Sequence, residues 1–236
     1  MSSIYIYNDL GVSKESLKQI LEILKSFLKK YKLKILSAED IKSSKWISDA
    51  SLLVMPGGAD LPYTRKLNGL GNTIISRYIS AGGKYLGICA GAYYGCSSIE
   101  FGVGTKLEII GDRELKFFDG KAIGPVFGKY SYKDNSGATP AEVVIDHIGE
   151  LPIFLNGGCY LSDGDCKVIA TYSKLNLPAI ISVKNNNVIL SGVHFEYNPT
   201  TMDCDDQYLS KVIRKLLPFE NKRRQLVQYI FELLNL

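Results

Sequence analysis

Two glycines bracket a cysteine in Gly87-Ile88-Cys89-Ala90-Gly91, just after the apolar pair Tyr85-Leu86. A thiol that merely fills a core needs no glycine beside it. A cysteine on a sharp turn does, because backbone or ligand must approach closely. On a strand–turn–helix elbow the side chain projects outward, and the N-terminus of the following helix favours the thiolate form. The same five residues also fit a small thiol packed into such a turn. His194-Phe195-Glu196 is the second candidate. In an extended segment the two polar side chains share one face, and a carboxylate beside a histidine fixes its tautomer for general-base work. An isolated His-x-Glu equally describes a part-buried histidine next to a solvated glutamate. Pro56-Gly57-Gly58 is the third. Its unobstructed N–H groups suit an oxyanion hole shared with the residue after the nucleophile, and it also suits a plain tight turn. Along the chain they run Pro-Gly-Gly, then G-x-C-x-G, then His-x-Glu, and together they supply the parts for acyl transfer through a thioester. The other histidine, His147 in Val143-Val144-Ile145-Asp146-His147, has no glycine-rich neighbourhood and reads as structural or surface.

Elements must place these residues together. SIYIYND at the start alternates and is rich in β-formers, so it reads as a strand. Ser13 can cap a helix running to about Tyr31, with Leu17, Ile20, Leu21, Leu24 and Leu28 on one face. KLKILSA reads as a second strand, and SLLVMP as a buried parallel strand that stops at Gly57-Gly58. A helix over TIISRYISA ends at Gly82-Gly83, KYLGI is a further strand, and AGAYYGCSSI (90–99) a further helix. This alternation predicts a doubly wound, mostly parallel α/β sheet, in which ligands bind at the carboxyl ends of strands. PGG and G-x-C-x-G both fall at such ends. The second half changes to closely spaced strands, with a hairpin at Lys184–Asn187, and predicts an antiparallel extension of the sheet. Two helices, DDQYLSKVIRKLL and KRRQLVQYIFELL, follow across Pro218. The expectation is one domain over 1–236 with a helical tail from about residue 203.

Composition sets the class. Of 236 residues 46% are hydrophobic and 22% charged, with formal charge +4, as in ordinary globular chains. Lys222-Arg223-Arg224 sits in an apolar-periodic segment and reads as a helix face, so nucleic-acid binding is not expected. Neither a signal peptide nor a membrane span is expected. Five cysteines without CxxC, and two histidines, predict reduced thiols, no metal site and a cytoplasmic setting; a Cys159–Cys166 pair is the less favoured reading.

The order of the three elements resembles the class I glutamine amidotransferase superfamily, whose fold is a flavodoxin-like α/β sheet with a Cys–His–Glu triad. Five stretches sharpen the resemblance: PGGADLPY within 55–63, GICAGAYYG at 87–95, SSIEF at 97–101, GPVFGKYSY at 124–132 and FLNGGCYL at 154–161. They look like the N-terminal amidotransferase-like domain of fungal and animal biotin–protein ligases, and the resemblance runs to about Pro199. A GRGRxxR-like biotin-binding stretch does not occur, so a stand-alone version without ligase activity of its own is expected. The resemblance implies Cys89 as nucleophile, His194 as base and Glu196 as its orienter, with Gly58 and Ala90 N–H groups as the oxyanion hole. Gly57, Tyr63, Tyr93 and Tyr94 are the expected pocket lining. Glutamine-using members read G-x-C-x-G-x-Q, and Tyr93 stands at the Gln position. That implies an amide or related acyl substrate other than free glutamine, with no cofactor. The alternative is a non-catalytic binding or regulatory module, with a separate biotin–protein ligase as a possible partner; a peptidase-like or stress-protein relative is a weaker third.

Overall fold

A computed structural model of the chain describes residues 2–128 and 130–236. Lys129, inside the 124–132 stretch, lies outside the described residues. The first half runs β1 (Ser3–Tyr7), α1 (Lys14–Phe27), β2 (Lys32–Leu36), α2 (Ala38–Lys42), β3 (Ala50–Met55), α3 (Asp60–Leu67), α4 (Leu70–Ser80), β4 (Tyr85–Ile88) and α5 (Ala90–Gly95). The second runs β5 (Cys96–Phe101), β6 (Ile109–Asp112), β7 (Phe118–Gly124), β8 (Thr139–Ile145), β9 (Gly149–Leu155), β10 (Tyr160–Ser162), β11 (Lys167–Tyr172), β12 (Leu177–Val183), β13 (Val188–Ser191), α6 (Leu209–Leu216) and α7 (Glu220–Leu233).

Among the described residues these strands make two sheets. The larger has the order β2-β1-β3-β4-β13-β12-β11-β8-β9. From β2 to β13 every neighbour is parallel; from β13 to β9 every neighbour is antiparallel. The parallel half has the 2-1-3-4-5 order of flavodoxin-like sheets, with β13 as the fifth strand. The α/β fold expected from the sequence is therefore present, although the antiparallel half is as wide as the parallel one.

Strand alternation sorts the core onto two faces. Ile4, Ile6, Leu52, Val54, Leu86 and Ile88 meet α1 and α7 on one side. Tyr5, Tyr7, Leu53, Met55 and Tyr85 meet α2, α3 and α4 on the other. Burying each large aliphatic side chain stabilises the fold by roughly 1.5–3 kcal/mol. The C-terminal helix packs on the sheet. Leu226, Val227, Ile230, Phe231 and Leu234 of α7 are buried in the first of these faces. The basic run is individually engaged: Lys222 donates to the Glu150 carbonyl, buried Arg223 to Glu220 and to the Phe195 carbonyl, and Arg224 lies over the Phe27 ring.

Several boundaries move. Ser13 caps α1, accepting from Ser16 N–H at 3.3 Å, but the helix stops at Phe27, short of Tyr31. The chain has to turn there, because Lys32 N–H donates to Ser2 O as β2 aligns beside β1. The helix expected over 90–99 ends at Gly95, and Cys96–Phe101 becomes β5. Serines and β-branched Ile are weak helix formers, and β5 has strands to pair with on both sides, β6 and β7. The small sheet β10-β7-β5-β6 was not anticipated. Asp206 starts α6 late, its carboxylate accepting from the N–H groups of Tyr208 and Leu209. At the hairpin, Lys184, Asn185 and Asn186 all take positive φ, as expected. All five cysteines are free; Cys159 is buried, Cys166 half-buried and Cys204 exposed. Among the described residues no helix is long and apolar enough to cross a membrane.

Candidate active site

Strand register brings the three motifs to one edge. Gly87 of β4 sits level with Met55 of β3 on one side and Leu190 of β13 on the other. Two residues beyond Met55 is Gly57, two beyond Gly87 is Cys89, and four beyond Leu190 is His194. The carboxyl ends of three adjacent parallel strands thus converge.

Cys89 caps α5 with φ 50° and ψ −106°. A non-glycine residue held at such angles costs about 1–3 kcal/mol, and strained residues of this kind cluster at functional sites. Gly91 rests against the Met55 carbonyl, which leaves no room for a side chain. The Cys89 thiol lies 3.9 Å from the Asn156 carbonyl oxygen. Helix α5 is short, six residues, so its dipole contribution is correspondingly small.

The His-x-Glu pair does not lie on a continuing strand. β13 stops at Ser191; His194 makes a single antiparallel bridge to Phe154, whose carbonyl accepts its N–H at 2.8 Å, and a turn follows. His194 Nδ1 nevertheless meets Glu196 Oε1 at 2.7 Å, with both side chains buried. Glu196 occupies Nδ1 and leaves Nε2 for the cavity. Burial disfavours charge on this imidazole, but the Glu196 and Cys89 charges beside it outweigh burial and push its pKa up to about 10.

Ser16, from the first turn of α1, joins the histidine side to the glycine turn. Its hydroxyl accepts from Gly57 N–H at 2.9 Å and donates to Glu196 Oε1 at 3.3 Å. Gly58 takes φ +145°, and a β-carbon there would strike the Gly11 carbonyl. The bonds flanking Gly58 are Ser13 N–H to Gly57 O and Ala59 N–H to Gly11 O. In that antiparallel pairing the Gly58 N–H points away from the Gly11–Ser13 segment. Among the described residues neither Gly58 N–H nor Ala90 N–H has an acceptor, and both residues line a narrow compartment beside Cys89.

A cavity of about 270 Å³ opens on Cys89, His194, Gly58 and Asn156, walled by Phe154 and Tyr197. Its aromatic lining differs from the expected one. Tyr63 is fully buried, its hydroxyl donating to the Pro56 carbonyl and its ring edge-on to Tyr7. Tyr94 donates to Asn72 Oδ1 at 2.6 Å under α4. Both belong to the core, because α3 and α5 turn these rings toward each other. Tyr93 borders the narrow compartment, but its hydroxyl donates to the Gly157 carbonyl. Gly57 lies between His194 and Cys89. Sequence reasoning missed Ser16, Asn156, Tyr130, Phe154 and Tyr197. Tyr130, Phe154 and Asn156 sit inside the 124–132 and 154–161 stretches, a signal that was available; Ser16, inside an amphipathic helix, carried none. His147 is exposed in the turn between β8 and β9 and edge-on to Tyr229, away from the cavity.

Known proteins resemble the chain over most or all of its length. The family model described as biotin–protein ligase, N terminal, matches residues 2–236, beyond the Pro199 limit of the motifs. The chain is 37% identical over 212 residues to an uncharacterized protein of Chlamydia muridarum, covering 84% of this chain and 82% of that one. It is 31% identical over 249 residues to the biotin–protein ligase of Schizosaccharomyces pombe, covering 99% of this chain but only 38% of the ligase. Among solved structures, a glutamine amidotransferase superposes with TM-score 0.66 at 16% identity, covering 98% and 99% of the two chains. PurLQS from Thermotoga maritima superposes with TM-score 0.60 at 14% identity, covering 92% and 98%. At such identities the likeness is one of fold.

Proposed function

The chain belongs to the family of biotin–protein ligase N-terminal domains, and from that premise we propose that it is a thiol-dependent acyl-transfer enzyme acting on an amide or related acyl substrate. The observation that carries this is a buried His194–Glu196 pair at 2.7 Å opening on the same cavity as a strained Cys89.

Cys89 sulfur attacks the substrate carbonyl carbon, and the oxyanion that forms lies toward the Gly58 and Ala90 N–H groups. The C–N bond breaks as His194 gives its proton to the leaving amine. Acylation also removes the Cys89 charge that helps hold that proton, so the imidazole is left neutral and able to take a proton from water. Water then adds to the thioester, releasing a carboxylic acid and restoring the thiol. Glu196 keeps Nδ1 engaged throughout, and Ser16 holds Glu196 and the Gly57 backbone in one frame. Free glutamine is a poor fit, because the Tyr93 hydroxyl is already spent on Gly157.

One observation favours a second reading. The compartment beside Gly58 and Ala90 is only about 20 Å³, tight for a tetrahedral intermediate without movement. A binding module that modulates a biotin–protein ligase would need no such movement. Incubation with p-nitrophenyl acetate decides. A hydroxylamine-sensitive acetyl group on Cys89, seen by mass spectrometry and lost in His194→Ala, supports the enzyme. No adduct on Cys89, together with capture of a purified ligase, supports the module.

A further inference from the structure

The wall that closes the narrow compartment has an outer side. Phe101 and Tyr130 line the compartment next to Cys89, and the same two residues line a groove of about 590 Å³ beyond it. Their rings meet edge-on with centroids 5.4 Å apart. Tyr130 also borders the Cys89–His194 cavity, so one side chain stands where all three spaces meet. It rests on Gly157, where a β-carbon would come within 2.6 Å of its ring.

The groove is apolar. Val103, Leu107, Pro125, Val126 and Leu175 face it, and Val103 and Leu175 leave 56% and 42% of their surface in water. Its volume lies within the range of about 300–1,000 Å³ usual for small-molecule sites. Among the described lining residues Lys106, at the rim, is the charged one. A groove that is apolar, of ligand size and separated from a nucleophile by one aromatic wall suits the part of a substrate that does not react.

We propose that this groove receives the apolar chain of the acyl group whose carbonyl carbon reaches Cys89, with Tyr130 as the gate over which the chain passes. The substrate class is then an amide or ester of a medium-length hydrophobic acid, and Lys106 favours an anionic or polar terminus at the far end. This rests on the acyl-transfer reading above, and it assigns that site its specificity.

A chain-length series tests it. Wild-type protein is treated with p-nitrophenyl acetate, butyrate, hexanoate and octanoate; each acylation moves the acyl group to Cys89 sulfur and releases nitrophenolate, which is read by absorbance. Each methylene buried in the groove adds up to about fourfold, so the octanoate rate constant should exceed that of acetate by tenfold or more. In Val126→Asp and Leu175→Asp the octanoate-to-acetate ratio should fall toward one, and in Tyr130→Ala it should change in either direction by severalfold. A flat series, or a rise that survives in both Asp variants, overturns the proposal. Octanamide binding to Cys89→Ala, followed by methyl shifts of Val126 and Leu175, reads the groove without chemistry. Shifts there support the groove even if no ester acylates Cys89, a result that would remove the acyl-transfer reading alone. No shifts, alongside acetate acylation in the wild type, would leave the enzyme and remove the groove.

Discussion

A β-carbon on Gly57 would lie 2.6 Å from Cε1 of His194. Position 57 therefore sets how close the imidazole comes to the glycine turn, and the Cys89 β-carbon would be 3.4 Å away on the other side. Gly57→Ala should push His194 away from Cys89. Overpacking of this kind costs about 1–3 kcal/mol, so the melting temperature falls modestly, while Cys89 alkylation at neutral pH slows by roughly tenfold or more, at 1.4 kcal/mol per decade. An unchanged alkylation rate in a folded variant would mean that the two side chains do not act together.

Ser16 is expected to matter for the same reason. Ser16→Ala leaves Gly57 N–H unpaired and removes a donor from Glu196, which costs about 1–3 kcal/mol for a buried group. Ser16→Thr keeps the hydroxyl. Chemical denaturation should show the alanine variant destabilised, and the pH profile of Cys89 alkylation should shift in Ser16→Ala and return toward wild type in Ser16→Thr. A profile that both variants leave untouched would reduce Ser16 to packing.

Iodoacetamide should label Cys89 ahead of the other thiols near neutral pH. Access alone predicts the opposite order, since Cys204 is exposed and Cys89 is a buried residue lining a cavity. Cys96 and Cys159 are fully buried, which raises both thiols well above their ordinary value, and they should react last. Mass mapping after limited alkylation reads the order. Cys204 leading Cys89 would show that His194 does not activate the thiol.

Parallel architecture was legible because β1, β3 and β4 are short apolar runs stopped by turn residues, and the two C-terminal helices because their apolar spacing is helical. The site's backbone was legible through glycine. Gly57, Gly58 and Gly91 are each where a β-carbon has no room, and glycine is the residue type that announces such contacts. What failed did so for tertiary reasons. Cys96–Phe101 has no strong local preference and becomes a strand because β6 and β7 flank it. Tyr63 and Tyr94 lie beside site residues in sequence, but helical geometry turns them inward. The His194–Glu196 contact was expected from strand alternation and is made by a turn instead, so the pairing held while its stated cause did not.

Free glutamine should not be turned over at a rate in the ordinary enzyme range of about 1–10³ s⁻¹. Tyr93 places a ring at the position where the resemblance to glutamine-using enzymes implies an amide, and its hydroxyl already has an acceptor at 3.1 Å. Coupled detection of glutamate measures this. Steady release abolished by Cys89→Ala would show that the ring moves aside and that the substrate class is the ordinary one.

The proton on His194 supplies the most direct test of the triad. Two histidines occur in the chain, so the imidazole region of an NMR spectrum holds two sets of signals, and His147→Gln assigns them. The His194 pKa is raised from its ordinary 6.5 to about 10, so the ring should hold its proton through neutral pH and lose it only as pH climbs through about 10. Glu196→Gln removes one of the charges that raise it and Cys89→Ala removes another, while burial, which lowers it, stays in both. Each single variant should therefore release the proton at lower pH than wild type. The double variant, with burial unopposed, should be neutral at pH 7. Following the Cε1–H shift from pH 5 to pH 10.5 separates these cases. Coincident curves for all four proteins, centred near 6.5, would mean that the imidazole feels neither partner, and the acyl-transfer mechanism would lose its base.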